Sequence, residues 1–223
     1  MSSLSDVKFG RLNEIVNPSR PRYGEARDAL LAAAIRTVAR FGLRGLTYRA
    51  VAAEAGVSYG AVSHHFGSRD ALIAEALHLS AARAVGLSSL EPKTGRIEDF
   101  VDDLTTAVEQ AKDAHAFQFE LALESRRDRA LKPPVRDLYQ LYERAVSREL
   151  SHIGFGEDAA FVRLVFAALD GLVFQQVIGV SSRREVEESL ARLRETLTTL
   201  GADLERQATA DKGRPGGGST VGF

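Results

Sequence analysis

Thr47 and Ser58 each stand at the head of a short run with helical apolar periodicity, and Ser68 does the same ten residues on. A hydroxyl in that place caps the unpaired N–H groups of a helix start. The starts at Thr47 and Ser58 favour phosphate, because N–H groups and the positive end of the helix dipole point outward together. Tyr48, Arg49 and Arg69 add hydroxyl and guanidinium groups that suit phosphate oxygens. Tyr59, Gly60, Ser63 and His64 take the exposed positions of the run after Ser58, a placement from which side chains reach base edges in a groove. Gly60 permits close approach, at some cost in helix propensity. The chemistry is that of a phosphate surface with edges to be read.

Other chemistry finds less support. Glu120 and Glu124 lie one helical turn apart with Arg127 following, but no nucleophile, phosphate loop or metal set converges with them. A solvated salt-bridge face accounts for that spacing. The chain has no cysteine, which excludes a disulfide framework, thiolate metal ligation and a cysteine nucleophile. His64 and His65 diverge as neighbours on a helix, with no third ligand in view, so neither a metal nor a cofactor is expected.

The elements that position these residues are helices. Leu31, Ala34, Ile35, Val38 and Phe41 recur at three- and four-residue steps from about Gly24, and Gly42 falls where a left-handed cap belongs. Thr47 opens a second helix with Leu46 and Val51 as a hydrophobic staple, and Gly56 ends it. Ser58 opens a third with Val57 and Val62 in the same relation, and Ser68 opens a fourth that continues to about Ala84. Two short capped helices joined at one glycine form a helix-turn-helix signature, with Val51, Ala52, Val62 and Phe66 as its inner face. Beyond a loop with Pro92 and Gly95, helical periodicity resumes over Ile97–Ala111, Ala114–Arg127 and from Pro133-Pro134 to near Gly154. Ala159–Ile178 is apolar around most of its circumference, which predicts burial on several sides. Glu185–Arg206 carries Val186, Leu190, Leu193, Leu197, Leu200 and Leu204 on a 3.5-residue seam of the kind that packs helices side by side.

The fold class is therefore all-α, with about nine helices in total: a three-helix head and a larger helical domain. Residues 1–21 read as a flexible basic arm, 22–84 as the head with its linking helix, 85–208 as the larger domain and 209–223 as a disordered tail. Charge divides along the same line: Arg20–Ala84 holds 9 Lys+Arg against 5 Asp+Glu, and Val85–Phe223 holds 18 against 23. A basic head on an acidic body suits a polyanion-binding module joined to something else. Val7–Arg22 is broken by charges and prolines and does not resemble a secretion signal. Even Ala159–Val180 contains Arg163, Asp170, Gln175 and Gln176, so no membrane span is expected and a cytoplasmic location is.

Over Glu25–Leu77 the sequence resembles the TetR family of bacterial transcriptional regulators, through FGLRGLT, AVAAEAGVS and the run ending HHFGSRDAL. Ser63 stands where that family often has tyrosine, with loss of reach toward phosphate, and Arg69 stands where lysine is frequent. The resemblance implies a repressor that binds a near-palindromic duplex operator as a homodimer, with the helix after Ser58 in the major groove. It implies that the last two helices pair with their copies, through Phe166, Leu169, Val173, Val186, Leu190, Leu193, Leu197 and Leu200. It also implies a small-molecule inducer in the larger domain, for which Phe117, Glu120, Leu121, Glu124, Tyr139, Tyr142, Phe166, Phe174 and Gln175 are the candidate lining. The rival reading is a helical ligand-binding or scaffold protein that no longer binds DNA.

Overall fold

The computed structural model describes residues 23–87 and 95–212, and among these every regular element is a helix. The arm expected over 1–21, most of the loop holding Pro92 and the chain from 213 lie outside the described residues. Helix α1 (Tyr23–Phe41) ends where Gly42 turns to a φ of 69°, a conformation costly for any residue with a Cβ, and returns its N–H to Val38 O at 2.8 Å. A 3₁₀ turn over Leu43–Gly45 leads into α2 (Tyr48–Ala55), then α3 (Tyr59–His65) and α4 (Arg69–Leu87).

All three hydroxyl caps form. Thr47 Oγ1 accepts from Ala50 N–H at 3.1 Å, Ser58 Oγ from Ala61 at 3.3 Å and Ser68 Oγ from Ala71 at 3.1 Å. Each such cap contributes about 1 kcal/mol. Val51, Ala52, Val62 and Phe66 are buried as a single inner face with Val38, Leu46 and Leu72. Two members of the expected apolar set are outside it. Val57 is 44% exposed and makes no staple, and Phe41 is 63% exposed with the Arg40 guanidinium 5.3 Å from its ring centre. Arg27–Glu75 ties α1 to α4, and Arg36–Glu54 ties α1 to α2.

The larger domain comprises α5 (Leu104–Gln110), α6 (Lys112–Glu124), α7 (Lys132–His152), α8 (Ala159–Val177) and α9 (Arg183–Lys212). The helix expected to begin at Ile97 does not. Only a 3₁₀ turn forms over Ile97–Asp99, and Val101 takes a φ of 49°. That conformation is unfavourable for a β-branched residue, and it allows Phe100 and Val101 both to be buried while Phe100 O accepts from Arg194 at 3.1 Å. Pro133 and Pro134 sit in the first turn of α7, where missing N–H groups cost nothing. Helix α9 runs to Lys212.

Two cores hold the molecule. The first joins head and body: Ala111, Ala114, Phe117 and Leu121 reach into the same cluster as Val51, Val62 and Phe66, with Leu131 and Leu138 alongside. The second unites the α5 region, α7, α8 and α9 through Phe100, Leu104, Val146, Leu150, Val162, Val165, Leu169, Val186, Leu190 and Leu197. Helix α8 departs from expectation twice. At 19 residues it is long and apolar enough to cross a membrane by length and composition alone, although charged residues argued against any span. It is also buried along one face only, through Val162, Val165, Leu169, Val173 and Val177, while Leu164 and Ile178 are 66% and 52% exposed.

Candidate nucleic-acid interface and buried cavity

Thr47, Tyr48, Arg49, Tyr59 and Arg69 meet on one open concave surface with Gly67 and Ser68. Thr47 and Ser58 accept a backbone hydrogen bond as caps, which leaves each hydroxyl hydrogen available to a phosphate oxygen. Arg49 is exposed and makes no ion pair among the described residues. Tyr59, 54% exposed, stands with its ring 6.0 Å from that of Tyr48. Gly60 and His64 are exposed beside it. A Cβ added to Gly60 would meet nothing nearer than Ser58 Oγ at 3.8 Å, so the head itself does not require glycine there.

Three of these side chains are partly committed to the protein. Tyr48 donates its hydroxyl hydrogen to Phe66 O at 2.8 Å and so pins the end of α3 rather than offering that hydrogen to phosphate. Arg69 donates from Nε to Leu46 O at 3.2 Å and from Nη2 to Leu43 O at 2.8 Å. Two of its five N–H groups thus hold the turn before α2, and three remain for an anion. Ser63 donates to Gly60 O at 3.1 Å, a bond within its own helix. Phe66 is core, and the half-buried His65 packs against its ring at 6.3 Å.

A cavity of about 60 Å³ lies inside the larger domain. Helix α6 lines it with His115, Gln118 and Phe119, α7 with Leu138, Tyr139, Tyr142 and Val146, and α8 with Phe166, Leu169, Asp170 and Val173. Ala84 of α4 and Leu104 and Ala107 of α5 close it. Of the candidate lining, Tyr139, Tyr142 and Phe166 border this cavity, and the others lie elsewhere. Phe117 and Leu121 are wholly buried in the core shared with the head. Glu120 Oε2 lies 3.7 Å from where a Cβ on Gly42 would stand, Glu124 pairs with Arg127 at 3.3 Å, and Gln175 accepts from Ser181 at 2.9 Å. Phe174 meets Phe119 edge to face at 5.0 Å but is itself partly exposed. The cause is the phase of α6: its most apolar stripe serves the head, and its more polar neighbouring face serves the cavity.

Gln118, Asp170 and His115 on that wall were not among the candidate lining. Gln118 is buried with both ends satisfied, Nε2 donating to Ser80 Oγ at 3.1 Å and Oε1 accepting from Tyr142 at 3.0 Å. A polar chain thus runs from cavity wall to α4. Asp170 faces the Tyr139 hydroxyl, which favours the ionised form, but burial outweighs it and pushes the carboxyl above its ordinary value. Burial likewise lowers His115 to about 4, so the imidazole is neutral near pH 7. Burial and the nearby Asp170 push the Tyr139 phenol up to about 12. A lone acidic residue within the most apolar helix was the signal available in the sequence. Among the described residues no group of three His, Asp or Glu is placed to hold a metal.

The seam expected to face a partner is used within the chain. Val186, Leu190, Leu197, Leu169 and Val173 are buried in the second core, Leu193 and Leu200 pack against it, and Phe166 borders the cavity. Apolar positions exposed on α8 and its C-cap include Leu164, Ala167, Ala168, Phe174 and Ile178, with Gly171 among them, where an added Cβ would meet nothing within 4 Å.

Residues 95–210 match the family described as tetracyclin repressor-like, C-terminal domain, and residues 30–76 match that of bacterial regulatory proteins, tetR family. Among solved structures, the chain is similar to a transcriptional regulator from Rhodococcus sp. Rha1, with a TM-score of 0.66 and 24% identity over 78% of this chain and 96% of that one. It is similar also to a TetR-family member from Streptomyces coelicolor A3, at 0.55 and 26% over 76% and 98% of the two chains. The multidrug binding protein EbrR, solved with imidazole, gives 0.52 and 28% over 76% and 94%. No curated protein sequence matches the chain.

Proposed function

The chain belongs to the TetR family of bacterial regulatory proteins, and on that premise we propose that it is a repressor that a small molecule releases from its operator. The observation that carries this reading is the surface of α3: Tyr59, Gly60 and His64 lie exposed together beside caps whose hydroxyl hydrogens are unspent. Helix α3 enters the major groove, where Tyr59 and His64 read base edges and Gly60 allows the approach. Thr47, Arg49, Ser58 and the remaining N–H groups of Arg69 hold the flanking phosphates.

The protein binds as a homodimer, and the two heads meet the half-sites of a near-palindrome. The partner copy covers α8 at Leu164, Ala168, Gly171 and Ile178, where an apolar face is exposed and small residues admit a neighbouring helix. The inducer enters the cavity. Its signal leaves by α6, which faces the cavity with His115, Gln118 and Phe119 and faces the head with Ala114, Phe117 and Leu121. A ligand that displaces Tyr142 breaks its bond to Gln118 and loosens Gln118 from Ser80 on α4, the helix that begins under the head. Release follows if the ligand binds the shifted arrangement more tightly. The imidazole complex of EbrR supports a ligand site in such a body. A chromosomal target places the protein in the cytoplasm.

A gel shift with duplex from the promoter beside its gene tests this reading. A discrete shifted band at modest salt is expected, weakened by an effector. No shift, with or without candidate ligands, would leave a helical ligand-binding protein and remove the repressor.

A further inference from the structure

The chemistry of the cavity wall narrows what it takes. Of its polar groups, Gln118 is committed at both ends, to Ser80 and Tyr142. Asp170 lies on the cavity beside Tyr139, and no Lys or Arg lines it. A carboxylate has about four lone-pair sites, so most of its capacity is open. The surroundings are rings: Phe119, Tyr139, Tyr142 and Phe166, with Tyr139 and Phe166 edge to face at 5.8 Å. An aromatic face attracts a cation within about 6 Å of its centroid, most strongly where water is excluded. One acid, one neutral imidazole and several rings describe a receptor for a single positive charge with an apolar coat.

Size adds a limit. A cavity of about 60 Å³ is far smaller than the roughly 300–1,000 Å³ pockets that take drug-sized ligands, so its occupant is compact. We propose that the cavity is a site for a compact monovalent alkylammonium cation, with Asp170 as its counter-charge and Phe119, Tyr139, Tyr142 and Phe166 as its cage. The inference rests on the reading of this cavity as the effector site and names the ligand class.

Protons are linked to that binding. Burial raises the Asp170 carboxyl above its ordinary value, and a bound cation favours the ionised form, so binding expels a proton and tightens as pH rises. The other titratable groups on the cavity are His115 from α6 and Tyr139 and Tyr142 from α7, while α4 and α5 present only Ala84, Leu104 and Ala107. His115 is neutral above about 4 and both phenols are neutral near pH 7, so none reverses the trend.

The test is calorimetry of the full chain with tetramethylammonium against tert-butanol, its uncharged counterpart of similar shape, at constant ionic strength. The cation is expected to bind at least about tenfold more tightly, an aromatic cage and carboxylate together contributing more than that. Asp170→Asn is expected to lose about tenfold or more, and wild-type affinity to rise from mildly acidic to neutral pH. Equal binding of tert-butanol, no binding of the cation, or affinity that falls as pH rises would overturn the proposal. The pH series on the wild type decides the matter if the Asp170→Asn protein fails to fold. A gel shift run in parallel separates the two readings. Cation binding that leaves DNA affinity unchanged keeps the site and removes its effector role. Release from DNA by uncharged or anionic compounds alone keeps the effector cavity and removes the cation.

Discussion

Arg69 closes the turn that feeds α2, through its bonds to Leu43 and Leu46. Arg69→Ala is expected to cost about 1–3 kcal/mol in chemical denaturation, since charged donors are lost from two carbonyls, and to weaken DNA binding for every sequence alike. Tyr59→Ala, on an exposed side chain, should stay within about 0.5 kcal/mol of wild type while changing sequence preference. Unchanged DNA binding in both variants would mean that α3 is misplaced in the groove. His115 makes a prediction about acid. Its folded value of about 4 lies below the unfolded value of 6.5, so the folded state binds fewer protons between them. Stability is then lost as pH falls from about 6.5 toward 4, by up to about 3 kcal/mol. The raised Asp170 works in the opposite direction, so the clean measurement is wild type against His115→Gln. The variant should show a shallower acid limb, and an identical limb would place His115 in contact with water. At this scale the caps at Thr47, Ser58 and Ser68 were legible in the sequence, because a cap is a contact over three residues. The bonds of Tyr48 to Phe66 and of Arg69 to Leu43 were not, because they span 18 and 26 residues.

Helix α6 serves two masters, and its phase decides what the cavity can hold. Phe117 and Leu121 are apolar enough to suit either a cavity or a core, so periodicity could not say which side each faced. Gln118 carries the polar link across the helix, and Gln118→Leu is expected to leave Ser80 and Tyr142 without that partner. DNA binding should survive while the response to effector is lost, as read by anisotropy of labelled duplex with and without ligand. A full response in that variant would route the signal elsewhere. The same ambiguity explains the seam on α9. A 3.5-residue repeat says that a helix packs along a neighbour, not whether the neighbour is in the same chain. Val186, Leu190 and Leu197 find theirs within it. Leu164→Glu on the exposed face of α8 is therefore expected to give a folded monomer by light scattering. A Leu164→Glu protein that remained dimeric would remove α8 from the interface. Leu193→Glu, packed against the chain's own core, should instead destabilise the protomer. The break at Val101 had no short-range signal, since the burial of Phe100 and its bond to Arg194 both depend on α9.

Among the described residues the molecule has two cores, and α6 reaches both: Phe117 and Leu121 share a cluster with Val62 and Phe66, and Phe119 packs against the second. On the proposed reading, motion at the cavity reaches the packing under α3, because close-packed interiors shift between arrangements rather than deform smoothly. The head carries a net positive balance and the rest a negative one, so on the proposed reading the duplex is drawn to the head and binding depends on salt. With about six phosphates neutralised, affinity should fall roughly 10³-fold between about 50 and 200 mM salt. The most direct test of sequence-reading by paired heads is selection of bound sites by the full chain from a pool of random duplexes. Enrichment of an inverted repeat, its half-sites spaced by about one helical turn or a multiple of it, is the predicted result. Enrichment of no sequence at all, or of a single unrepeated half-site, would contradict it.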